Sequence, residues 1–137
     1  MVMPQADEFH WLLPRSLRAP GRARTLVRER LVFWEVDGDQ AATAELLLSE
    51  LVTNAVRHGR APQGRYIGVR LARYDGVLRV EVADAGPAVK LAPQVVADWD
   101  ERGRGLAIVA ALAARWGCCP RLHGIGKAVW AEVPVKG

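Results

Sequence analysis

The sequence predicts an α+β two-layer sandwich, in which about three helices cover one face of a mixed, mostly antiparallel sheet. Two observations predict it: helical periods lie early in the chain, and two pairs of alternating apolar segments joined by turn signals lie later. Helices and hairpins in separate runs are typical of two packed layers. The 137 residues have the size of one domain. We expect a flexible terminus over residues 1–8 and a single domain over residues 9–135.

An edge strand and a helix open the chain. Residues 9–13 favour a short strand, which Pro14 closes. Pro20 and Gly21 then lead into residues 22–34, where apolar residues recur at helical spacing. The sequence therefore predicts the first helix there.

The second helix, over residues 40–57, is the strongest periodic signal in the chain. Asp39 follows a Gly-containing break and is the expected N-cap. The apolar stripe of this helix comprises Ala44, Leu47, Leu48, Leu51, Val52 and Ala55.

Two hairpins with a helix between them are predicted in the second half. The first hairpin turns through Tyr74-Asp75-Gly76, a sequence typical of a tight connection between strands. The segments are strands over residues 66–73 and 77–84, a helix over residues 103–116, and strands over residues 118–123 and 128–135.

Composition excludes several classes of protein. Half the residues are hydrophobic, a quarter are charged and the net charge is only +4, with arginines spread along the chain. This distribution favours a solvated surface over a nucleic-acid patch. The adjacent Cys118 and Cys119 are poor disulfide partners, which favours a reducing compartment. No run approaches the ~20 apolar residues of a membrane helix. We therefore expect a cytoplasmic protein with neither nucleic acid nor membrane as a direct partner.

A polar stripe interrupts the second helix. Glu50, Asn54 and Arg57 fall on nearly one line of the helix, at about 100° per residue. A carboxamide oxygen such as that of Asn54 ligates hard cations like Mg²⁺, and Glu50 is able to accept a proton. The alternative is a solvent-facing stripe with a weak ion pair, and spacing alone leaves both open. His58 has no second ligand at metal spacing and alone indicates a cation at a helix end.

Two later segments suggest ligand contacts. The period of two places Asp84 on the apolar side of its strand, where a carboxylate needs a donor such as a ligand amine. Gly103 and Gly105 open the third helix, and Arg102 and Arg104 add positive charge where helix amides attract phosphate. An ordinary turn and a pair of loop glycines are the alternatives.

In this order, the segments resemble the GHKL superfamily, which includes gyrase, heat-shock chaperones and histidine kinases. Residues 49–59, SELVTNAVRHG, resemble its N-box. Residues 82–86, VADAG, resemble its G1 box, and residues 101–106, ERGRGL, resemble its G2 box. Residues 126–132, GKAVWAE, are similar to the closing strand of the single-domain anti-sigma-factor serine/threonine kinases and their actinomycete relatives.

The resemblance implies a Bergerat fold with ATP and Mg²⁺ as cofactors. Asn54 would hold the metal, and Glu50 would be the general base that activates a serine of a partner protein. Asp84 would accept from the adenine amine, with Gly86 allowing close approach. The implied nucleotide-binding residues are Asn54, Arg57, His58, Asp84, Gly86, Arg102, Gly103, Arg104, Gly105 and Leu106.

Two departures from the family pattern are visible. Ala128 stands where relatives usually carry a threonine, so a hydroxyl that would support Asp84 is expected to be missing. The lid between Gly86 and Gly103 is also short. These departures put nucleotide affinity and hydrolysis in question more than the fold.

The leading functional expectation is a regulatory protein serine/threonine kinase. It would phosphorylate a STAS-type antagonist of an anti-sigma factor and sequester a sigma factor, and a homodimer is a further expectation because relatives often form one. The alternative is a nucleotide-sensing or protein-interaction module of the same fold without chemistry. A DNA-binding protein is a third and weaker alternative, since no nucleic-acid motif is present.

Overall fold

The computed structural model describes residues 7–58, 66–84, 105–120 and 127–135. These residues form five strands and three helices along the chain. The elements are β1 (Asp7–Pro14), α1 (Ala19–Phe33), α2 (Gly38–His58), β2 (Tyr66–Tyr74), β3 (Val77–Asp84), α3 (Gly105–Leu112), β4 (Arg115–Pro120) and β5 (Lys127–Pro134).

The five strands form one sheet in the order β1-β2-β3-β5-β4. All four pairings between the described strands are antiparallel. Asp75 and Gly76 connect β2 to β3 with φ angles of 51° and 73°, as the tightest hairpin turns require. The predicted, mostly antiparallel sheet and its first hairpin are therefore confirmed.

One face of the sheet meets the helices. Helix α2 lies at the centre of this layer and contacts α1, α3 and strands β2, β3 and β5. Leu47, Leu48 and Val52 of α2 are completely buried between the layers. The sheet residues that complete this core are Ile67, Val69, Leu71, Leu78, Val80, Val82, Val129, Ala131 and Val133. The two-layer α+β sandwich is confirmed.

The opposite face of the sheet carries a row of alternating charges. Nε of Arg70 lies 2.7 Å from Oε1 of Glu8, and Nη1 of the same arginine lies 3.3 Å from Oε1 of Glu81. Nη2 of Arg79 lies 3.6 Å from Oε2 of Glu81, and Nη1 lies 3.0 Å from Oε2 of Glu132. Each arginine therefore has a carboxylate on either side, so ion pairs run across this face of the sheet.

The helix starts differ from the predicted ones by two or three residues. Helix α1 begins at Ala19 rather than residue 22, because Pro20 occupies a first-turn position where a missing N–H costs no hydrogen bond. Helix α2 begins at Gly38, so Asp39 lies in its first turn and the prediction that Asp39 is the N-cap is wrong. An acidic residue in the first turn still favours the helix.

The third helix is shorter than predicted. It ends at Leu112, and Trp116 lies in β4 rather than on a helix. The N–H of Ala113 still donates to Val109, but the N–H of Ala114 donates to the carbonyl of Glu132 in β5. Pairing with the sheet therefore overrides the helical period at this point. The predicted helix start at Gly103 lies outside the described residues.

Candidate functional site

The polar stripe of α2 runs from the core to the solvent. Asn54 is buried, with 4% of its surface exposed, whereas Glu50 is half-buried and Arg57 is exposed. Residues four apart on a helix are neighbours on its surface. A carboxylate and a carboxamide therefore lie side by side at the margin of the core, with a guanidinium one turn further along.

Helix α1 contacts the side of α2 that lies away from Asn54. Arg24 donates to the hydroxyl of Ser49 over 2.7 Å, and Arg28 donates to Glu45 over 2.8 Å. At about 100° per residue, these two positions of α2 lie opposite Asn54. The side of α2 that carries Glu50 and Asn54 therefore points away from these two contacts with α1. No pattern in the sequence predicts either pair.

The carboxamide nitrogen of Asn54 is buried and meets no hydrogen-bond partner in the parts of the chain that the structure describes. Among the described residues, Nδ2 of Asn54 is the one buried side-chain nitrogen or oxygen with no partner. Buried polar groups in folded proteins are normally hydrogen-bonded, and leaving one unsatisfied costs about 1–3 kcal/mol. A phosphate oxygen would satisfy this donor, while the carboxamide oxygen suits Mg²⁺. The residues present thus fit a magnesium–nucleotide complex.

Asp84 is the last residue of β3, a strand that contacts α2. Its directly opposed positions are Ile67 in β2 and Lys127 in β5. Among the other predicted site residues, His58 ends α2, and Gly105 and Leu106 begin α3, which also contacts α2. Four more, namely Gly86, Arg102, Gly103 and Arg104, lie outside the described residues.

Ala128 does not stand beside Asp84. It is directly opposed to Ala83 and Cys119, and it is buried with 7% exposure. Because successive residues of a strand alternate between faces, Ala128 shares the charged face with Glu132 rather than the core face with Val129. The expectation that this alanine deprives Asp84 of a supporting hydroxyl is therefore wrong.

The residue opposite Asp84 is Lys127, which the sequence did not single out. Its position depends on the pairing of β3 with β5, and these strands are far apart in the chain. The alternating pattern of β5 indicates a strand but does not fix its register against β3. Sequence reasoning therefore had no signal that would identify Lys127.

A family model described as the histidine kinase-like ATPase domain matches residues 13–130. A comparison with curated proteins finds no match.

Two solved structures are similar over nearly the whole chain. The RsbU and RsbW domains of Rv1364c from Mycobacterium tuberculosis are 25% identical with a TM-score of 0.68, covering 95% of this chain and 34% of that one. The histidine kinase domain of the blue-light activated kinase from Erythrobacter litoralis EL346 is 20% identical with a TM-score of 0.56, covering 90% and 62%. The second likeness concerns the fold alone. This chain spans about a third of the first structure and under two thirds of the second.

The family match covers α1, α2, α3 and most of the sheet, and it includes both Glu50 and Asn54. It confirms the resemblance that the motifs predicted, and it implies that the chain binds ATP. The chain belongs to the histidine kinase-like ATPase domain family.

Proposed function

We propose that the chain is a protein serine/threonine kinase of the anti-sigma-factor type, which uses ATP and Mg²⁺. The observation that carries the proposal is the pair Glu50 and Asn54, one turn apart on α2, where the nitrogen of the buried Asn54 has no partner within the described part of the chain. Such a pair supplies a base and a metal ligand at adjacent positions. The 25% identity to the RsbU and RsbW domain structure supports this branch of the family.

In this proposal, Asn54 holds the metal through its carboxamide oxygen, and bound Mg²⁺ neutralises phosphate charge. Glu50 takes the proton from a serine hydroxyl of the partner protein. The hydroxyl oxygen bonds to the γ-phosphorus as the bond to ADP breaks. The half-buried position of Glu50 suits this role, because the base must reach both the bound nucleotide and an incoming protein.

The remaining nucleotide contacts are proposed from the motifs. Asp84 accepts a hydrogen bond from the adenine amine, and Gly86 lets the base approach the backbone. Arg57 and His58 at the end of α2, residues 102–104, and Gly105 and Leu106 at the start of α3 border the phosphates.

The proposed partners are a STAS-type antagonist, which is the substrate, and a sigma factor, which the chain sequesters. A homodimer and a cytoplasmic location belong to the same proposal. Among the described residues, no helix is both long and apolar enough to cross a membrane. The motif resemblance and the likeness to the RsbU and RsbW domains support these assignments.

A non-catalytic nucleotide-sensing or interaction module is the competing function. Two sequence features favour it, namely the short lid, which lies outside the described residues, and Ala128. The second argument falls because Ala128 is opposed to Ala83 and not to Asp84. Calorimetry with ATP and Mg²⁺ separates the two functions when combined with a transfer assay, because a sensor binds ATP without phosphorylating a partner.

The transfer assay uses labelled ATP, Mg²⁺ and a cognate antagonist protein. Glu50→Gln is expected to abolish transfer while leaving ATP binding measurable. The matched control is Glu45→Gln, which removes a carboxylate from the opposite side of the same helix and should retain transfer. No transfer by the unmodified chain, or equal transfer by Glu50→Gln, would contradict the kinase proposal.

A further inference from the structure

Helix α1 carries a line of exposed side chains along the side that faces away from the core. Its buried residues are Ala19, Ala23, Val27 and Leu31. Within about 40° of the line opposite Val27, the exposed residues are Arg18, Arg22, Thr25, Glu29 and Val32, which we call the α1 ridge. Their alternating spacing of four and three residues is the spacing along which two helices pack together.

The α1 ridge is positive at one end and negative towards the other. Arg18 and Arg22 lie at the start of α1, whereas Glu29 lies one turn before its end. Within the described parts of the chain, the side chains of these three residues form no ion pair. Arginines four apart repel each other, and a helix start favours acidic residues, of which the first turn of α1 has none. An outside source of opposite charge would therefore stabilise both ends of the ridge.

Two other arginines of α1 show the contrast. Arg28 donates to Glu45 of α2 over 2.8 Å, and the guanidinium of Arg30 lies 4.2 Å from the centre of the Phe9 ring. These side chains leave the flanks of α1 towards α2 and β1 and are held within the fold. The charges of the α1 ridge differ because they point away from both neighbours.

Exposed apolar side chains stand at both ends of the ridge. Leu17, next to Arg18, is 88% exposed, and Val32 and Phe33 near the end of α1 are each 70% exposed. Each end therefore combines a charge of one sign with apolar surface, and the two ends are complementary in charge.

We propose that the α1 ridge binds the α1 ridge of a second copy of this chain, with the two helices antiparallel. This rests on the homodimer of the proposed function and assigns its surface. In the antiparallel arrangement Arg18 and Arg22 of one copy face Glu29 of the other, and the two-fold axis repeats the contact. Leu17 then faces Phe33 of the second copy. A parallel arrangement would set arginines against arginines.

The size of α1 limits the strength of this contact. Its 15 residues span about 22 Å, so the pairing is at the small end of specific interfaces. We expect a reversible dimer with a dissociation constant on the order of micromolar. Because the charges are exposed, salt should weaken it.

The test is sedimentation velocity of the full chain at concentrations that span the micromolar range. Arg22→Glu and Glu29→Arg each place like charges opposite each other at both symmetry-related contacts. Each variant alone should raise the dissociation constant about tenfold or more. An equimolar mixture of the two should dimerise like the unmodified chain, because every ridge contact in the mixed dimer joins opposite charges.

The mixture also guards against misfolding, since a variant that fails to fold cannot recover dimerisation when a partner is added. The matched control is Arg115→Glu, which reverses a charge that is 74% exposed on β4. It should leave the dissociation constant unchanged and should not restore dimerisation to either ridge variant.

Each other outcome overturns the inference. An unmodified chain that stays monomeric throughout this range, a dimer that neither reversal weakens, or a mixture that does not recover would each do so. The transfer assay with Glu50→Gln decides the kinase proposal separately. Phosphate transfer by a monomeric chain leaves that proposal standing, and a ridge-dependent dimer without transfer leaves this inference standing.

Discussion

Arg79 donates a hydrogen bond to the carboxylate of Glu132 over 3.0 Å, between directly opposed positions of β3 and β5. The hydroxyl of Tyr74 donates to the same carboxylate oxygen over 3.0 Å. Burial on its own would raise the pKa of Glu132, but these two hydrogen bonds, together with the nearby charges of Arg115 and Arg79, outweigh it and hold the pKa below its ordinary value. A nearly buried carboxylate therefore stays ionised at the centre of the charged sheet face.

Loss of the Arg79 contact should destabilise the fold more than loss of the neighbouring Arg115 contact. The side chain of Arg79 is 20% exposed, whereas that of Arg115 is 74% exposed and its nitrogen lies 3.8 Å from Glu132. We expect Arg79→Gln to lower the free energy of unfolding by about 1.5–3 kcal/mol, typical of a hydrogen bond to a charged group. Arg115→Gln should cost less than about 1 kcal/mol, as exposed ion pairs do. Urea denaturation measures both, and equal losses would contradict this ranking.

The Glu8 contact predicts a dependence of stability on pH. Hydrogen bonds from Arg70 and then His10 lower the pKa of Glu8 from 4.5 to about 2. Because the folded-state pKa is depressed, the stabilisation is present above pH 4.5. It is lost as the pH falls from there towards about 2.

The difference in unfolding free energy between the unmodified chain and Glu8→Gln should therefore shrink across that acid range. Urea titrations at several pH values measure this difference. Glu29→Gln, on the exposed surface of α1, controls for the removal of one negative charge. A difference that stays constant from neutral pH to pH ~2 would rule out the contribution of Glu8.

Two glycines on the charged face should respond differently to substitution by alanine. A Cβ at Gly117 would lie 2.9 Å from the ring of Trp130, whereas a Cβ at Gly68 would meet nothing closer than 3.8 Å. The guanidinium of Arg79 lies 4.2 Å from the centre of the Trp130 ring, so a shift of the ring would weaken this contact. Gly117→Ala should therefore cost about 1–3 kcal/mol, the usual range for overpacking.

The matched variant Gly68→Ala should be neutral or slightly stabilising, since alanine restricts the unfolded chain. In a Trp130→Leu background the cost of Gly117→Ala should fall, because the clashing ring is gone. Denaturation of the four variants gives the comparison. If Gly117→Ala lowers the free energy of unfolding equally in the Trp130 and Trp130→Leu backgrounds, a clash with the ring is not the cause.

Local patterns predicted the central elements of the fold. The apolar stripe of α2 located that helix within two residues at its start and one at its end, and Asp75-Gly76 located the β2–β3 hairpin. The same kind of pattern failed at Trp116. An alanine-rich helix is locally favourable there, but the backbone of Ala114 bonds to Glu132 of a strand that comes later in the chain.

Local patterns likewise predicted one part of the candidate site and missed another. One-turn spacing predicted that Glu50 and Asn54 lie together, because both belong to one helix. Spacing did not predict that Asn54 is buried with no described residue as a partner for its nitrogen, since burial depends on the layers around α2. The opposition of Asp84 and Lys127 depends on strand order, which no local period encodes.

Asn54→Ala should separate nucleotide binding from stability. Its buried Nδ2 has no partner among the described residues, so removing this nitrogen relieves an unsatisfied donor, and alanine is the better helix former. Without nucleotide, the variant should be at least as stable as the unmodified chain. MgATP at 100 times its dissociation constant stabilises a binding protein by about 2.7 kcal/mol, and this gain should vanish in the variant.

Ser49→Ala, which loses the 2.7 Å contact from Arg24, should be less stable yet keep the gain. Thermal denaturation with and without MgATP measures both effects, and an Asn54→Ala variant that is destabilised without nucleotide yet keeps the MgATP gain would assign the carboxamide to folding alone.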